Sequence, residues 1–177
     1  DPFCGSGTIP IEAALIAKNR APGLERSFAA QKWKTMPGTL WLDAAEEAMD
    51  KEFHGSYDIW GGDIDPAAVE LSRHNAALAG VEDCVRFEVA DAGKFHRESA
   101  YGQLVTNPPY GERLLEKTEA EALYRRFGAA ARTLPPGWRV VVLSSHTEFE
   151  RAFGHPADKK RKLYNGMLKC DAFLYGR

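Results

Sequence analysis

Apolar residues recur along this chain with two alternating periods. Ile11, Leu15 and Ile16, spaced by alanines, trace one face of a helix from Ile9 to Arg20, and Ala21-Pro22-Gly23 stops it. Residues 24–56 break the rhythm and read as an insertion, with helical character only from Trp41 to Phe53. Tyr57 to Gly62 is a short β-favouring stretch. Asp65 then supplies an N-cap with Pro66 in the first helical position, and Ala67 to Ala79 runs helically to Gly80. Val85 to Val89 predicts a strand ending at Asp91, and Gln103 to Thr106 another ending at Asn107-Pro108-Pro109-Tyr110.

Thr118 and Glu121 have capping-box spacing and open a helix to Leu134, ended by Pro135-Pro136-Gly137. Arg139 to Ser144 is a continuous apolar run, as in a strand covered on both faces, and Thr147 to Phe153 is a short helix. Asn165-Gly166 then signals a two-residue turn between strands Lys160–Tyr164 and Met167–Tyr175. Strands alternating with helices, followed by a hairpin, predict a Rossmann-like α/β domain. Its sheet is open and mostly parallel, with one antiparallel strand at or near its edge. Ligands in such sheets bind at the carboxyl ends of the strands.

The chain has 177 residues, the size of one domain, and 44% hydrophobic against 27% charged residues is ordinary globular composition. A closed domain of this mass exposes roughly 8,600 Å². Three cysteines, Cys4, Cys84 and Cys170, form neither a disulfide framework nor a CxxC metal site. With no apolar run of membrane-spanning length and no signal pattern, the expectation is a cytoplasmic protein. Net charge is −2, without the overall basic footprint of a nucleic-acid binder. The average conceals a gradient: residues 51–100 hold 5 basic and 10 acidic side chains, residues 139–177 hold 8 and 4. The basic C-terminal end can face an anion.

The chemistry gathers at the predicted strand ends. Gly5 and Gly7 frame a turn in Asp1-Pro2-Phe3-Cys4-Gly5-Ser6-Gly7-Thr8, where backbone approaches a ligand closely and the next helix offers its positive end. Such turns follow a strand, and none precedes this one, so the chain is expected to be cut from something longer. A dinucleotide fingerprint needs a third glycine where Pro10 stands, and a P-loop needs Gly-Lys-Ser/Thr. Hydride transfer and nucleotide hydrolysis therefore fall in rank. Asp63 is placed to hold ribose hydroxyls, Asp65 to cap its helix, and Asp91 to accept from an adenine amine, together a pocket for an adenosine-containing cofactor. Cys4 is expected to be a small residue in the turn, and His146 and His155 to serve core or surface roles.

Asn107-Pro108-Pro109-Tyr110 narrows the reaction. Prolines fix the backbone and lack N–H donors, so a carbonyl and the Asn107 amide oxygen become paired acceptors. Two acceptors on the protons of an aromatic amine turn its delocalised lone pair toward an electrophile. Tyr110 adds a face for base stacking, worth about 1–3 kcal/mol.

Asp-Pro-Phe-Cys-Gly-Ser-Gly-Thr and Asn-Pro-Pro-Tyr resemble motifs I and IV of class I S-adenosylmethionine-dependent methyltransferases acting on exocyclic amines. Asn19-Arg20-Ala21-Pro22-Gly23, Gly62-Asp63-Ile64-Asp65-Pro66, Asn107-Pro-Pro-Tyr-Gly-Glu-Arg113 and Lys162-Leu-Tyr-Asn-Gly-Met-Leu-Lys169 narrow this to the THUMP-associated, RlmL-type guanine-N2 RNA methyltransferases. The resemblance covers nearly the whole chain. It implies S-adenosyl-L-methionine held at Asp1, Pro2, Gly5, Gly7, Asp63 and Asp91, and a target guanine of RNA handled by Asn107, Pro108 and Tyr110. It further implies 23S ribosomal RNA as the target, an upstream THUMP-type RNA-binding domain, no metal, and residues 1–177 as an N-terminally truncated catalytic domain. Lys159-Lys160-Arg161-Lys162 is a candidate phosphate contact. Adenine-N6 methylation of DNA is the nearest rival, since the same motif serves either amine. A non-catalytic RNA-binding subunit of this fold would be free to lose Asp63 or Asn107, and both are present.

Overall fold

The computed structural model describes residues 1–35, 37–111 and 117–176, and its strands fall into two hydrogen-bonded groups. In the first, β1 (Ile59–Asp63) pairs in parallel with β2 (Val85–Val89). In the second the order is β3 (Tyr101–Thr106), β4 (Gly137–Ser144), β6 (Leu168–Tyr175) and β5 (Lys159–Asn165). β3 and β4 are parallel, whereas β6 is antiparallel to both neighbours. The expected antiparallel strand therefore lies one position in from the edge.

Asp1 joins the two groups. Its main-chain nitrogen donates to the Trp60 carbonyl (2.9 Å), its own carbonyl accepts from Gly62 N (2.7 Å), and its carboxylate accepts from Thr106 at the end of β3.

Helices α1 (Thr8–Lys18) and α3 (Pro66–Leu78) cover the first group around Ile11, Val69, Val81 and Phe87. Helices α4 (Lys117–Ala131) and α5 (Phe149–Phe153) cover the second, where Tyr124, Phe127 and Phe149 are completely buried. Burying such a side chain contributes about 1.5–3 kcal/mol, so this aromatic cluster anchors the half that carries the Asn-Pro-Pro turn.

Local differences have local causes. Thr118 is already inside α4, and the Glu121 carboxylate faces Arg125, His146 and Arg151 instead of turning back as in a capping box. The hairpin turn is Gly166-Met167, one residue later than expected, because Asn165 pairs with Leu168. Gly166 alone in that turn adopts positive φ (61°), and a turn with glycine in its first central position needs no left-handed second residue.

Within the insertion, α2 (Thr39–Asp50) buries no residue. Arg20 ties the segment down by bonding Glu25, Glu52 (2.6 Å) and the Ala79 carbonyl. This outlying segment helps explain a surface of 11369 Å², well above the closed-domain expectation. Among the described residues no helix is long and apolar enough to cross a membrane.

Candidate active site

A cavity of about 1070 Å³ opens at the carboxyl ends of the strands. Pro2, Gly5, Asp63, Asp91, Asn107, Pro108 and Tyr110, all expected at a site, line it. Asp1 and Gly7 do not line it; they shape the turn from behind.

That turn is held by backbone and by one acid. Cys4 N donates to the Gly62 carbonyl (2.8 Å) and Gly7 N to the Cys4 carbonyl (2.8 Å). Gly5 (φ +53°) has no atom near the position of a Cβ, whereas at Gly7 (φ +85°) a Cβ would meet Ser72 Cβ at 2.8 Å. The first glycine thus keeps a surface open, and the second permits packing of α1 on α3. Asp63 Oδ2 accepts from Gly5 N (3.0 Å) and Oδ1 from Asp65 N (3.0 Å), so this carboxylate pins the turn to the end of β1. Asp65 caps α3 by accepting from Ala67 N (2.9 Å), as expected. Asp91 likewise caps a short 3-10 turn, Oδ1 accepting from Gly93 N (2.8 Å), while also facing the cavity. Buried Cys4 has its thiol pKa raised by burial and then by Asp63, which keeps it protonated and poorly nucleophilic.

The opposite wall is Asn107 to Tyr110. Pro108 is fully buried, and the Pro109 carbonyl accepts from Tyr124 Oη (2.5 Å), fixing the double-proline turn to α4. Tyr110 Oη donates to Asn107 Oδ1, and Asn165 Nδ2 (3.5 Å) and Cys170 Sγ (3.7 Å) approach the same hydroxyl from the hairpin. Burial, followed by the neighbouring thiol, pushes the phenol up to about 12, so it stays a donor. The side-chain amide of Asn107 is thereby oriented, its oxygen being the group that accepts. Glu112 and Arg113, which follow this motif in the sequence, lie outside the described residues.

Sequence reasoning missed two parts of the wall. Leu123 and Arg126 face the cavity from α4, and Asn165 to Leu168 face it from the hairpin turn. Residues 123 and 126 stand on one face by helical spacing, but nothing in the pattern says what that face meets. The hairpin signal was visible as turn chemistry only.

Two histidines lie apart from these lining residues. His146 is buried, accepts from Glu148 N through Nδ1, and has its pKa lowered by burial; His155 is exposed beside Tyr175. Of the basic run, Lys160 bonds Glu150 (2.7 Å), and Arg161 and Lys162 are exposed.

A family model described as RMKL-like, methyltransferase domain (UPF0020) matches residues 1–173. YpsC of Bacillus subtilis, which carries an RNA methyltransferase name, is 43% identical over 99% of this chain and 46% of its own length. Ribosomal RNA large subunit methyltransferase K/L of Shewanella baltica is 41% identical over 99% of this chain and 25% of its own. This chain thus spans less than half the length of either relative. SMU.472, described as a methyltransferase and solved with SAH, superposes with TM-score 0.95 at 42% identity, over 100% of this chain and 47% of that one. A Listeria monocytogenes structure named as an N6-adenine-specific DNA methylase gives TM-score 0.91 at 44% identity, over 99% and 45%.

Proposed function

Because this chain belongs to the RMKL-like methyltransferase domain family UPF0020, we propose that it methylates the exocyclic N2 amine of guanine in RNA. Large-subunit ribosomal RNA is the favoured substrate and S-adenosyl-L-methionine the donor. The observation that carries this reading is the Asn107 amide oxygen, oriented by Tyr110 and seated beside two fixed prolines, in one cavity with Asp63 and Asp91.

The donor supplies an electrophilic sulfonium methyl, and transfer leaves S-adenosylhomocysteine. The chain's residues have separable tasks. The turn at Gly5 presents backbone at close range, and Asp63 both braces that turn and offers carboxylate oxygens to a ribose. Asp91, whose Oδ1 is taken by Gly93, offers Oδ2 to an adenine amine. Asn107 Oδ1 and the Pro108 carbonyl accept from the two protons of the target N2, which aims its lone pair at the methyl carbon. The N2–carbon bond forms as the carbon–sulfur bond breaks, sulfur keeps the electron pair, and N2 releases one proton to water. Tyr110 stacks the base once it has left its helix.

RNA rather than DNA is favoured by the ribosomal RNA relative, whereas the Listeria protein's name keeps adenine-N6 methylation of DNA as the second reading. Labelled methyl transfer to unmodified large-subunit ribosomal RNA and to unmethylated DNA, followed by nucleoside mass spectrometry, separates them. N2-methylguanosine is expected. N6-methyladenine in DNA with no RNA product would overturn the proposal.

A further inference from the structure

The β5–β6 hairpin has a feature that its fold does not need. β4 ends at Ser144, which pairs with Asp171, so residues 163–170 project beyond the carboxyl edge of the sheet, over the side on which the cavity opens. At the tip, Met167 is 99% exposed, so no described residue of the chain covers it. Two residues away, Asn165 Nδ2 lies 3.5 Å from the hydroxyl of Tyr110. A large, unbranched apolar side chain therefore stands free beside the residue proposed to stack the target base.

The strands behind the tip carry cations and an aromatic ring. Tyr164 is 73% exposed and pairs across the hairpin with Lys169, and strand alternation puts Lys162 on the same face. Lys160 continues this row but is held by Glu150, which leaves Lys162, opposite Asp171, and Lys169 as the row's other cations. Arg161 is exposed on the opposite face. An apolar point flanked by lysines and a ring suits a partner with stacked bases and a phosphate backbone.

We infer that this hairpin docks the RNA helix around the target nucleotide and that Met167 is the wedge filling the stack when the guanine leaves it. The inference rests on the reading of the cavity as an RNA guanine methyltransferase site. A base drawn into the cavity leaves a gap whose neighbours are exposed to water, and proteins that unstack bases insert apolar side chains, methionine among them, into such steps. Methionine suits the role because its flexible thioether follows an irregular gap. Lys162 and Lys169 contact the flanking phosphates, which fixes the register of the helix without reading sequence.

The test compares kcat/KM on structured ribosomal RNA with that on a single-stranded fragment holding the same guanine. Met167→Ala should lower the structured-to-single-stranded ratio at least tenfold, and Met167→Leu should restore most of it. With 2-aminopurine at the nucleotide located by mass spectrometry, the native protein should raise its fluorescence and Met167→Ala should not. Lys162→Ala and Lys169→Ala should each reduce the slope of log affinity against log salt by about 0.7–0.9. An equal loss on both RNAs would reveal a merely structural role and overturn the wedge, as would an unchanged ratio or an effect confined to self-association. A native protein that methylates no RNA would overturn the functional reading and the wedge together. One that is active on structured RNA, with Met167→Ala behaving identically, would overturn the wedge alone.

Discussion

Thr106 donates its buried hydroxyl to Asp1 Oδ1, the same oxygen that accepts from Phe3 N, so the end of β3 is tied to the first residues of the glycine-rich turn. Among the described residues β1 and β3 share no strand ladder, and this bond spans the junction between the two groups of strands. The strand leading into the Asn107 wall is thereby tied to the turn that Asp63 braces. Thr106→Val keeps the shape and deletes the donor. A bond to a charged group contributes about 1.5–3 kcal/mol, and a loss of that size is expected as a lower urea midpoint with an unchanged slope. Affinity for the methyl donor should weaken as well.

Asn107→Ala removes the oriented acceptor and leaves Asp63, Asp91 and the turn in place. Turnover should fall by about 10²–10³, the usual cost of deleting one preorganised polar group at a reacting centre. Titration with S-adenosylhomocysteine should give an affinity within about twofold of the native value, well under 1.4 kcal/mol. Equal losses in turnover and affinity would sink the assigned role.

Tyr110 is buried enough that its phenol titrates near 12, so activity should show no ionisation from this group up to the ordinary tyrosine value of about 10. The folded pKa is raised. Its stabilising contribution is therefore complete below about 10 and is lost as pH rises through about 12. Tyr110→Phe keeps the stacking face but frees the Asn107 amide to turn. A roughly fivefold drop in kcat, equivalent to about 1 kcal/mol, is expected. In denaturant titrations it should come with a smaller alkaline loss of stability than the native protein's, the part due to buried Tyr124 and Tyr175 remaining.

Gly5 and Gly7 both have positive φ but should respond differently to alanine. Gly5→Ala meets no neighbouring atom, so its stability cost is the left-handed strain of about 1–2 kcal/mol. Gly7→Ala adds a clash with Ser72 between α1 and α3, roughly 1–3 kcal/mol more by the usual scale of overpacking. Thermal unfolding of the two variants should rank them in that order. Binding of S-adenosylhomocysteine by folded protein should be hurt more by Gly5→Ala, because Gly5 is the one that lines the cavity.

His146 is buried with its pKa lowered by desolvation, so the neutral ring is the form that fits the core. The unfolded chain binds the proton first. Stability should be full above the ordinary histidine value of about 6.5 and decline as pH falls from there through the lowered value. His146→Phe should flatten that acid limb in urea titrations. A limb of unchanged steepness would show that other groups dominate it.

Periodicity in the sequence determined the order of strands and helices, because each element buries one face and that requirement is written locally in spacings of two or of three and four. The acids and the Asn-Pro-Pro-Tyr turn were legible for a related reason. They stand at strand ends, where a parallel sheet gathers unlike residues at one edge. Tertiary structure alone decided what those residues touch. Asp63 spends an oxygen on Gly5 from 58 positions away, Thr106 reaches Asp1, and Asn165 approaches Tyr110 across a hairpin whose overhang follows from the β4–β6 register. No local pattern encodes a register between distant strands; it is set by which apolar faces must be covered at once. For that reason the cavity's floor could be read from the chain, whereas its hairpin wall, with Met167 at the tip, could not.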